Sequence, residues 1–178
     1  MIIKILQNSV RFFFLILIQV WVLNHVQWNG YVNPYVYIMF ILLLPIETPK
    51  WLVLLLGFLI GVILDMFSNT GGIHAAASVF MAFARPGVLR LIAPRDGYES
   101  ETKISAWSLG FKWFFTYTAI LVLLHHLVYF YLEVFRFSEF FMTFAKAMLN
   151  SVITVVIILA GHYLFSRQQR TKNEYFKR

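Results

Sequence analysis

Six long apolar runs, separated by short polar or proline-containing stretches, constrain the fold of this chain more than any other feature. The runs occupy residues 10–24, 32–44, 51–67, 74–92, 109–131 and 140–165. An α-helix needs about 20 apolar residues to cross a bilayer, and most of the runs approach that length. The chain is 60% hydrophobic and only 13% charged, which is more apolar surface than a soluble domain could bury. The sequence therefore predicts an all-α integral membrane protein, a bundle of six transmembrane helices.

The distribution of lysine and arginine predicts the orientation of this bundle. If there are six spans, Arg136 lies on one side of the membrane and Lys146 lies within the last run. All the other lysines and arginines lie on the opposite side from Arg136. Positive charge concentrates on the cytoplasmic side of membrane proteins, so we expect both termini in the cytoplasm. Residues 1–166 are expected to form the transmembrane domain, and residues 167–178 a basic cytoplasmic tail.

The third run carries small and acidic residues at a regular spacing. Gly57, Gly61 and Asp65 recur every four residues, before a polar break at 68–72. Four residues advance an α-helix by about 400°, so the three share one slowly drifting face. Glycines at this spacing let another helix approach closely, and a carboxylate on the same side faces protein rather than lipid. We expect the alanine-rich start of the fourth run, 75–78, to pack against this face.

This region resembles the signature of MreD, the family of rod shape-determining integral membrane proteins of bacteria. That family has a glycine, hydrophobic residues and an aspartate, then a short turn with serine or glycine, then glycine, a hydrophobic residue, histidine and alanine. Here the corresponding residues lie within 61–75. The motif and helix-packing residues are Gly57, Gly61, Asp65, Gly72 and His74.

The resemblance implies a non-enzymatic scaffold subunit of the cell-elongation machinery in the bacterial inner membrane. Members of the family associate with MreC, a single-span membrane protein, and through it with MreB filaments. The wider partners are the elongation-specific glycan polymerase and transpeptidase. On this interpretation, Asp65 and the glycine face hold the bundle together or shape the side that binds MreC.

Polar residues at membrane depth predict a second site. At a rise of about 1.5 Å per residue, Asp65 and Lys146 fall at a similar depth in the outer half of the bilayer. His125 lies at a comparable level, and Asn150 follows Lys146 by four residues on the last run. We therefore expect a polar cluster of Asp65, His125, Lys146 and Asn150, with an ion pair between Asp65 and Lys146. Such groups either form hydrogen bonds that hold helices together or form a functional site, and the sequence is compatible with both interpretations.

Three arginines stand at the cytoplasmic end of the fourth run. Arg85, Arg90 and Arg95 precede or begin the longest polar stretch, roughly 94–106. We expect them to contact anionic lipid headgroups, with docking of a cytoplasmic partner as the alternative.

Several classes of function are disfavoured. The chain has no cysteine, which excludes disulfides, thiolate metal sites and a thiol nucleophile. His125, His126 and Glu133 match no established zinc spacing, and the sequence has neither a nucleophile elbow nor a glycine-rich phosphate loop. The net charge of +7 sits in short blocks between apolar runs, so nucleic acid is not an expected partner. We expect no catalysis, no cofactor and no metal.

The alternative class is a transporter component. A small six-span protein with its basic side in the cytoplasm also resembles the substrate-binding subunit of energy-coupling-factor vitamin transporters. On that interpretation the turn at 68–72 lines an outer pocket, in which Asp65, His74, His125 and Lys146 contact a polar ligand.

Overall fold

The computed structural model describes residues 2–25, 33–99 and 102–175, and these residues form helices and turns without any β-strand. The helices are, in chain order, α1 (Ile2–Trp21), α2 (Met39–Leu42), α3 (Lys50–Ser68), α4 (Ile73–Leu91), α5 (Ala106–Leu109), α6 (Phe111–Val134) and α7 (Phe140–Tyr175). Short 3₁₀ turns occur at Leu23–His25, Val36–Ile38 and Phe137–Glu139. The prediction of an all-helical protein is confirmed.

Three of these helices have the length and composition to cross a membrane. They are α3, α6 and the part of α7 from Phe140 to Leu164. Large apolar side chains such as Trp51, Phe83 and Phe141 are mostly exposed on the outer surface. Such a surface fits acyl chains rather than water.

Six long spanning helices were predicted, and within the described residues three of them do not have the length and composition to cross a membrane. The described part of run 32–44 starts at residue 33 without regular structure, continues through the 3₁₀ turn and the four-residue α2, and α2 is capped at Leu43. Pro34 lies near the start of the run and Pro45 directly after it, and proline disfavours helix at its own position and at the residue before it. The first run lies in α1, whose apolar part, Leu6–Trp21, is shorter than a full span. The fourth lies in α4, which contains Arg85 and Arg90.

The interrupted stretch, residues 33–45, is the centre of the protein, and we call it the inner segment. Tyr37, Ile38, Ile41 and Leu42 are completely buried. The stretch packs against α1 and α7, and its side chains and carbonyls reach α4 and α6. An irregular part of the described chain is thus among its most buried parts.

The long helices form antiparallel pairs around this segment. α3 packs mainly on α4, α4 also packs on α6, and α6 packs on α7. The C-terminal end of α4 lies beside the start of α6, because Trp113 Nε1 donates a hydrogen bond to the Ile92 carbonyl. We call this end of the bundle, which also carries the exposed Arg90, Arg95 and Lys112, the basic end.

The contact between α3 and α4 is close because of two glycines. A Cβ atom on Gly57 would lie 3.1 Å from both Ala82 Cβ and the Ser78 carbonyl oxygen. A Cβ atom on Gly61 would collide with the backbone of His74 and Ala75. The two helices therefore touch through backbone atoms along the glycine face.

The expected boundary between a transmembrane domain, 1–166, and a basic tail, 167–178, falls inside α7. This helix continues without interruption to Tyr175, while residues 176–178 lie outside the described part of the chain.

Candidate functional site

Asp65 binds the first turn of α4. Its Oδ1 atom accepts a hydrogen bond from the His74 N–H (3.0 Å), and its Oδ2 atom accepts one from the Ala75 N–H (2.9 Å). The first N–H groups of a helix have no partner within the helix, and Gly72, at the N-cap position, has no side chain to supply one. The carboxylate of the preceding helix therefore performs the capping, and its negative charge also complements the dipole of α4.

Thr70 and His74 complete this connection. The Thr70 hydroxyl donates to Asp65 Oδ1 (2.5 Å) and lies 2.8 Å from His74 Nδ1. His74 Nδ1 is also 3.1 Å from Asp65 Oδ1. Since both neighbouring oxygens can accept, the geometry assigns the proton to Nδ1 of His74. The tight turn depends on left-handed backbone at Asn69 (φ 55°) and Gly72 (φ 100°).

Gln19 of α1 binds the start of the inner segment. Its Oε1 atom accepts hydrogen bonds from the N–H groups of Val36 (2.8 Å) and Tyr37 (3.3 Å), and its Nε2 atom donates to the Pro34 carbonyl (3.1 Å). These backbone groups lack helical partners because Pro34 prevents a helix from starting earlier. Gln19 is 1% exposed, so water cannot replace it.

Side chains of α7 bind the same stretch from the other side. Asn150 Oδ1 accepts from the Asn33 N–H (2.6 Å), and the Thr154 hydroxyl accepts from the Tyr35 N–H (3.2 Å). His126 Nδ1 lies 2.8 Å from the Val122 carbonyl and therefore donates to it. Its Nε2 atom then accepts from the Thr154 hydroxyl (3.1 Å).

Arg85 and Tyr117 bind the carbonyls at the other end of the inner segment. Arg85 Nη2 donates to the carbonyls of Leu44 (2.5 Å) and Pro45 (3.3 Å), and Arg85 Nε donates to the Tyr117 hydroxyl (2.9 Å). Tyr117 in turn donates to the Leu42 carbonyl (3.0 Å). The last carbonyls of α2 and of the turn after it thus receive donors from α4 and α6.

The expectation that Arg85 contacts lipid headgroups is wrong. The side chain is 1% exposed, because its guanidinium lies inside the bundle and donates hydrogen bonds to carbonyls of the inner segment. Arg90 and Arg95 are exposed at the basic end, where contact with headgroups remains a prediction.

The predicted pair of Asp65 and Lys146 does not form. Lys146 Nζ lies 3.3 Å from Glu133 Oε2 and 4.9 Å from the ring centre of Phe130. Asp65 belongs to the α3–α4 connection, whereas Lys146 belongs to the α6–α7 pair. Two residues that are expected at a similar depth can lie on different sides of the bundle, because depth does not define the position around the bundle axis.

His125 is completely buried and bonds to the inner segment. Its Nε2 atom is 2.7 Å from the Tyr37 hydroxyl, which is 3.2 Å from the Ser78 hydroxyl. Its Nδ1 atom is buried and has no hydrogen-bond partner among the described residues. The ring of Tyr35 packs against the rings of His74, His125 and neighbouring aromatic residues.

Sequence reasoning missed Gln19, Tyr37 and Tyr117, which bind the inner segment or belong to it. The signal in the sequence was the two prolines, Pro34 within run 32–44 and Pro45 directly after it, because a broken, buried segment needs polar partners from its neighbours.

In the parts of the chain that the structure describes, no group of three or more His, Asp or Glu side chains could hold a metal ion.

The fold and the site together define an all-helical protein, with three helices able to cross a membrane, that encloses an irregular segment. Comparisons with models of protein families, with curated proteins and with solved structures find no match for this chain.

Proposed function

We propose that this chain is a non-enzymatic scaffold subunit of the bacterial cell-elongation machinery, embedded in the inner membrane. The observation that best supports this proposal is how the buried polar side chains are used. Gln19, Asp65, Arg85 and Asn150 all bond to the backbone of the chain itself. Groups that already stabilise the fold in this way are not available to bind a substrate, so a structural role explains them better than a polar pocket.

The residues shared with the MreD signature form one structural unit. Gly61 allows α3 and α4 to touch, Asp65 caps α4, and His74 bonds back to Asp65. Each residue has a folding role that needs no ligand. This pattern is what we expect of a protein whose task is to hold a rigid shape for its partners.

The partners follow from the resemblance. We infer direct association with MreC within the membrane, and indirect association with MreB, the glycan polymerase and the transpeptidase. The loops at the basic end, between α4 and α6, then face the cytoplasmic filament.

We also propose that the chain passes the membrane six times, with both termini in the cytoplasm. Gln19 contacts Val36, and Arg11 contacts the Leu43 carbonyl (3.4 Å), so α1 and the inner segment run in opposite directions. The inner segment then makes the second pass, shielded from lipid by the helices around it. Buried irregular backbone at membrane depth is tolerated only in such surroundings.

One observation favours the transporter class as a second candidate. His125 Nδ1 is buried beside Tyr35 and Tyr37 and has no hydrogen-bond partner among the residues that the structure describes. A polar ligand that entered between the helices could bind it. The partner experiment below distinguishes the two classes.

The test is the identity of the proteins that bind this chain. The chain carries a tag at its C-terminus, intact cells are crosslinked, and co-purifying proteins are identified by mass spectrometry after gentle solubilisation. Recovery of a single-span coiled-coil protein together with wall polymerases supports the scaffold. Recovery of a transporter-type ATPase pair overturns it.

A matched pair of variants makes this test specific for the folded bundle. Gly61→Ala places a methyl group against the backbone of α4, whereas Gly87→Ala adds one where no atom lies within 4 Å. We expect Gly61→Ala to lose the captured partners and Gly87→Ala to retain them at equal expression.

A further inference from the structure

An open groove lies at the basic end of the bundle, where the end of α4, α5 and the start of α6 meet. Its volume is about 480 Å³, and Ile92, Leu109, Phe111 and Trp113 form most of its lining. None of the described lining residues hydrogen-bonds to the inner segment, although Trp113 stacks on Tyr117 with ring centres 5.1 Å apart. The groove therefore borders the site already described but has its own lining.

The walls of this groove are held in place by hydrogen bonds. Trp113 Nε1 donates to the Ile92 carbonyl (2.8 Å), which fixes the indole ring against the end of α4. The Ala106 N–H at the start of α5 donates to His162 Nε2 (3.2 Å), which ties α5 to α7. Tyr98 packs edge-on against Trp113 with ring centres 6.0 Å apart. The groove thus exists without a ligand to shape it.

The lining combines an apolar trough with one cation. Lys112 is exposed at the groove and is the one charged residue among the described residues that line it. The Thr116 hydroxyl donates to the Lys112 carbonyl (2.9 Å), so it is already used. Phe111 and Phe115, stacked with ring centres 6.0 Å apart, are about half exposed on the outer surface of the same helix. The groove therefore opens beside a surface that fits the bilayer interface, where aromatic residues concentrate.

We propose that this groove binds one anionic phospholipid from the leaflet at the basic end. The upper part of an acyl chain lies in the apolar trough along Trp113, and the headgroup phosphate pairs with Lys112. A phospholipid matches both features, since it presents an apolar chain and a negative charge at the depth where Trp113 and Lys112 lie. A soluble anion would not use the trough, and an uncharged apolar ligand would not use Lys112.

The test uses the fluorescence of Trp113 in the full-length chain. A variant retains Trp113 and has phenylalanine at the other four tryptophans, Trp21, Trp28, Trp51 and Trp107. It is reconstituted in phosphatidylcholine vesicles with a minor fraction of brominated phosphatidylglycerol or brominated phosphatidylcholine. Bromine quenches the indole on contact, so the two titrations give the relative affinity of the groove for each lipid. We expect phosphatidylglycerol to bind about fivefold more tightly, the preference that one basic side chain near a membrane surface provides.

Two variants assign that preference to Lys112. Lys112→Gln should reduce the ratio to about one while both lipids still quench Trp113, because the trough is unchanged. Lys103→Gln, which removes an exposed charge outside the groove lining, should leave the ratio near fivefold. An equal affinity for both lipids in the parent, or an equal loss in the two variants, would overturn the proposal. So would the absence of quenching by either lipid.

A second measurement covers the case in which the single-tryptophan variant does not fold. The natural chain and the Lys112→Gln variant are purified in mild detergent from the same membranes, and retained lipids are counted by native mass spectrometry. We expect one phosphatidylglycerol per chain in the natural protein and its loss in the variant. Equal retention in the two proteins contradicts the site, and neither result depends on whether the elongation machinery is the partner.

Discussion

The carboxylate of Asp65, in the last turns of α3, accepts a hydrogen bond from the backbone N–H of Ala75 in the first turn of α4. A side chain that looks like a functional acid in the sequence is thus the N-terminal cap of the next helix. Its second oxygen accepts from the His74 N–H, so one residue satisfies two backbone donors that would otherwise be buried without partners. This relationship explains why an acid is tolerated inside an apolar run.

The first prediction concerns this cap. Asp65→Leu leaves the N–H groups of His74 and Ala75 without acceptors, and we expect a loss of about 2–4 kcal/mol in the free energy of unfolding. Asp65→Asn keeps one acceptor oxygen and should lose less. Equilibrium unfolding in detergent measures both. Asp96→Asn, at an exposed position, is the control, and an equal effect of Asp96→Asn and Asp65→Leu would contradict the capping role.

The second prediction concerns the glycine face of α3. Gly61→Ala forces α3 away from α4 and should cost about 1–3 kcal/mol, the range seen when groups are added to a packed interior. Gly57→Ala, whose Cβ would meet atoms at 3.1 Å, should cost less. The thermal unfolding midpoint in detergent orders the variants. Gly87→Ala should match or exceed the natural protein, and a Gly61→Ala midpoint equal to it would refute the close contact.

The third prediction concerns the start of the inner segment. Gln19→Leu removes three hydrogen bonds to buried backbone, so we expect the stability to fall by about 2–3 kcal/mol despite the gain in apolar character. Gln7→Leu, on an exposed face of the same helix, should be neutral or slightly stabilising in lipid. Equilibrium unfolding compares the pair. If Gln19→Leu were also neutral, the inner segment would not depend on α1.

The fourth prediction concerns the end of the inner segment. Arg85→Met has a similar length but leaves the carbonyls of Leu44 and Pro45 and the Tyr117 hydroxyl with fewer partners. We expect a loss of about 2–3 kcal/mol, and Arg85→Lys should recover only part of it because ammonium lacks the planar fork of guanidinium. Arg90→Met, at an exposed position five residues later, is the control. Equal stability of Arg85→Met and Arg90→Met would show that Arg85 is not needed to hold the segment.

The fifth prediction concerns the partners of Lys146. In a double-mutant cycle, Lys146→Met and Glu133→Gln should couple by roughly 0.5–1 kcal/mol, because the pair is partly exposed. The cycle between Lys146→Met and Asp65→Asn should give a coupling of about zero, since the two residues lie in different helix pairs. The measurement is the unfolding free energy of each single and double variant. A larger coupling with Asp65 than with Glu133 would contradict the described geometry.

Local sequence features were sufficient for much of the fold. The length of the apolar runs predicted the helical class, and three of the six predicted spanning helices have the length and composition to cross a membrane. The spacing of Gly57, Gly61 and Asp65 also located the face of α3 that meets α4. These inferences succeed because helix length, helical periodicity and close approach at glycine depend on neighbours within one or two turns.

The tertiary structure decided which polar groups meet. The sequence alone predicted a long helix at 32–44, the second of six, and paired Asp65 with Lys146. The folded chain instead encloses a broken segment there and bonds Asp65 to α4. Neither the length of an apolar run nor an expected depth in the bilayer contains the rotation of one helix about another. A buried backbone group bonds to whichever polar side chain the packing brings to it. The roles of Gln19, Arg85 and Asn150 are therefore defined only once the helices are assembled.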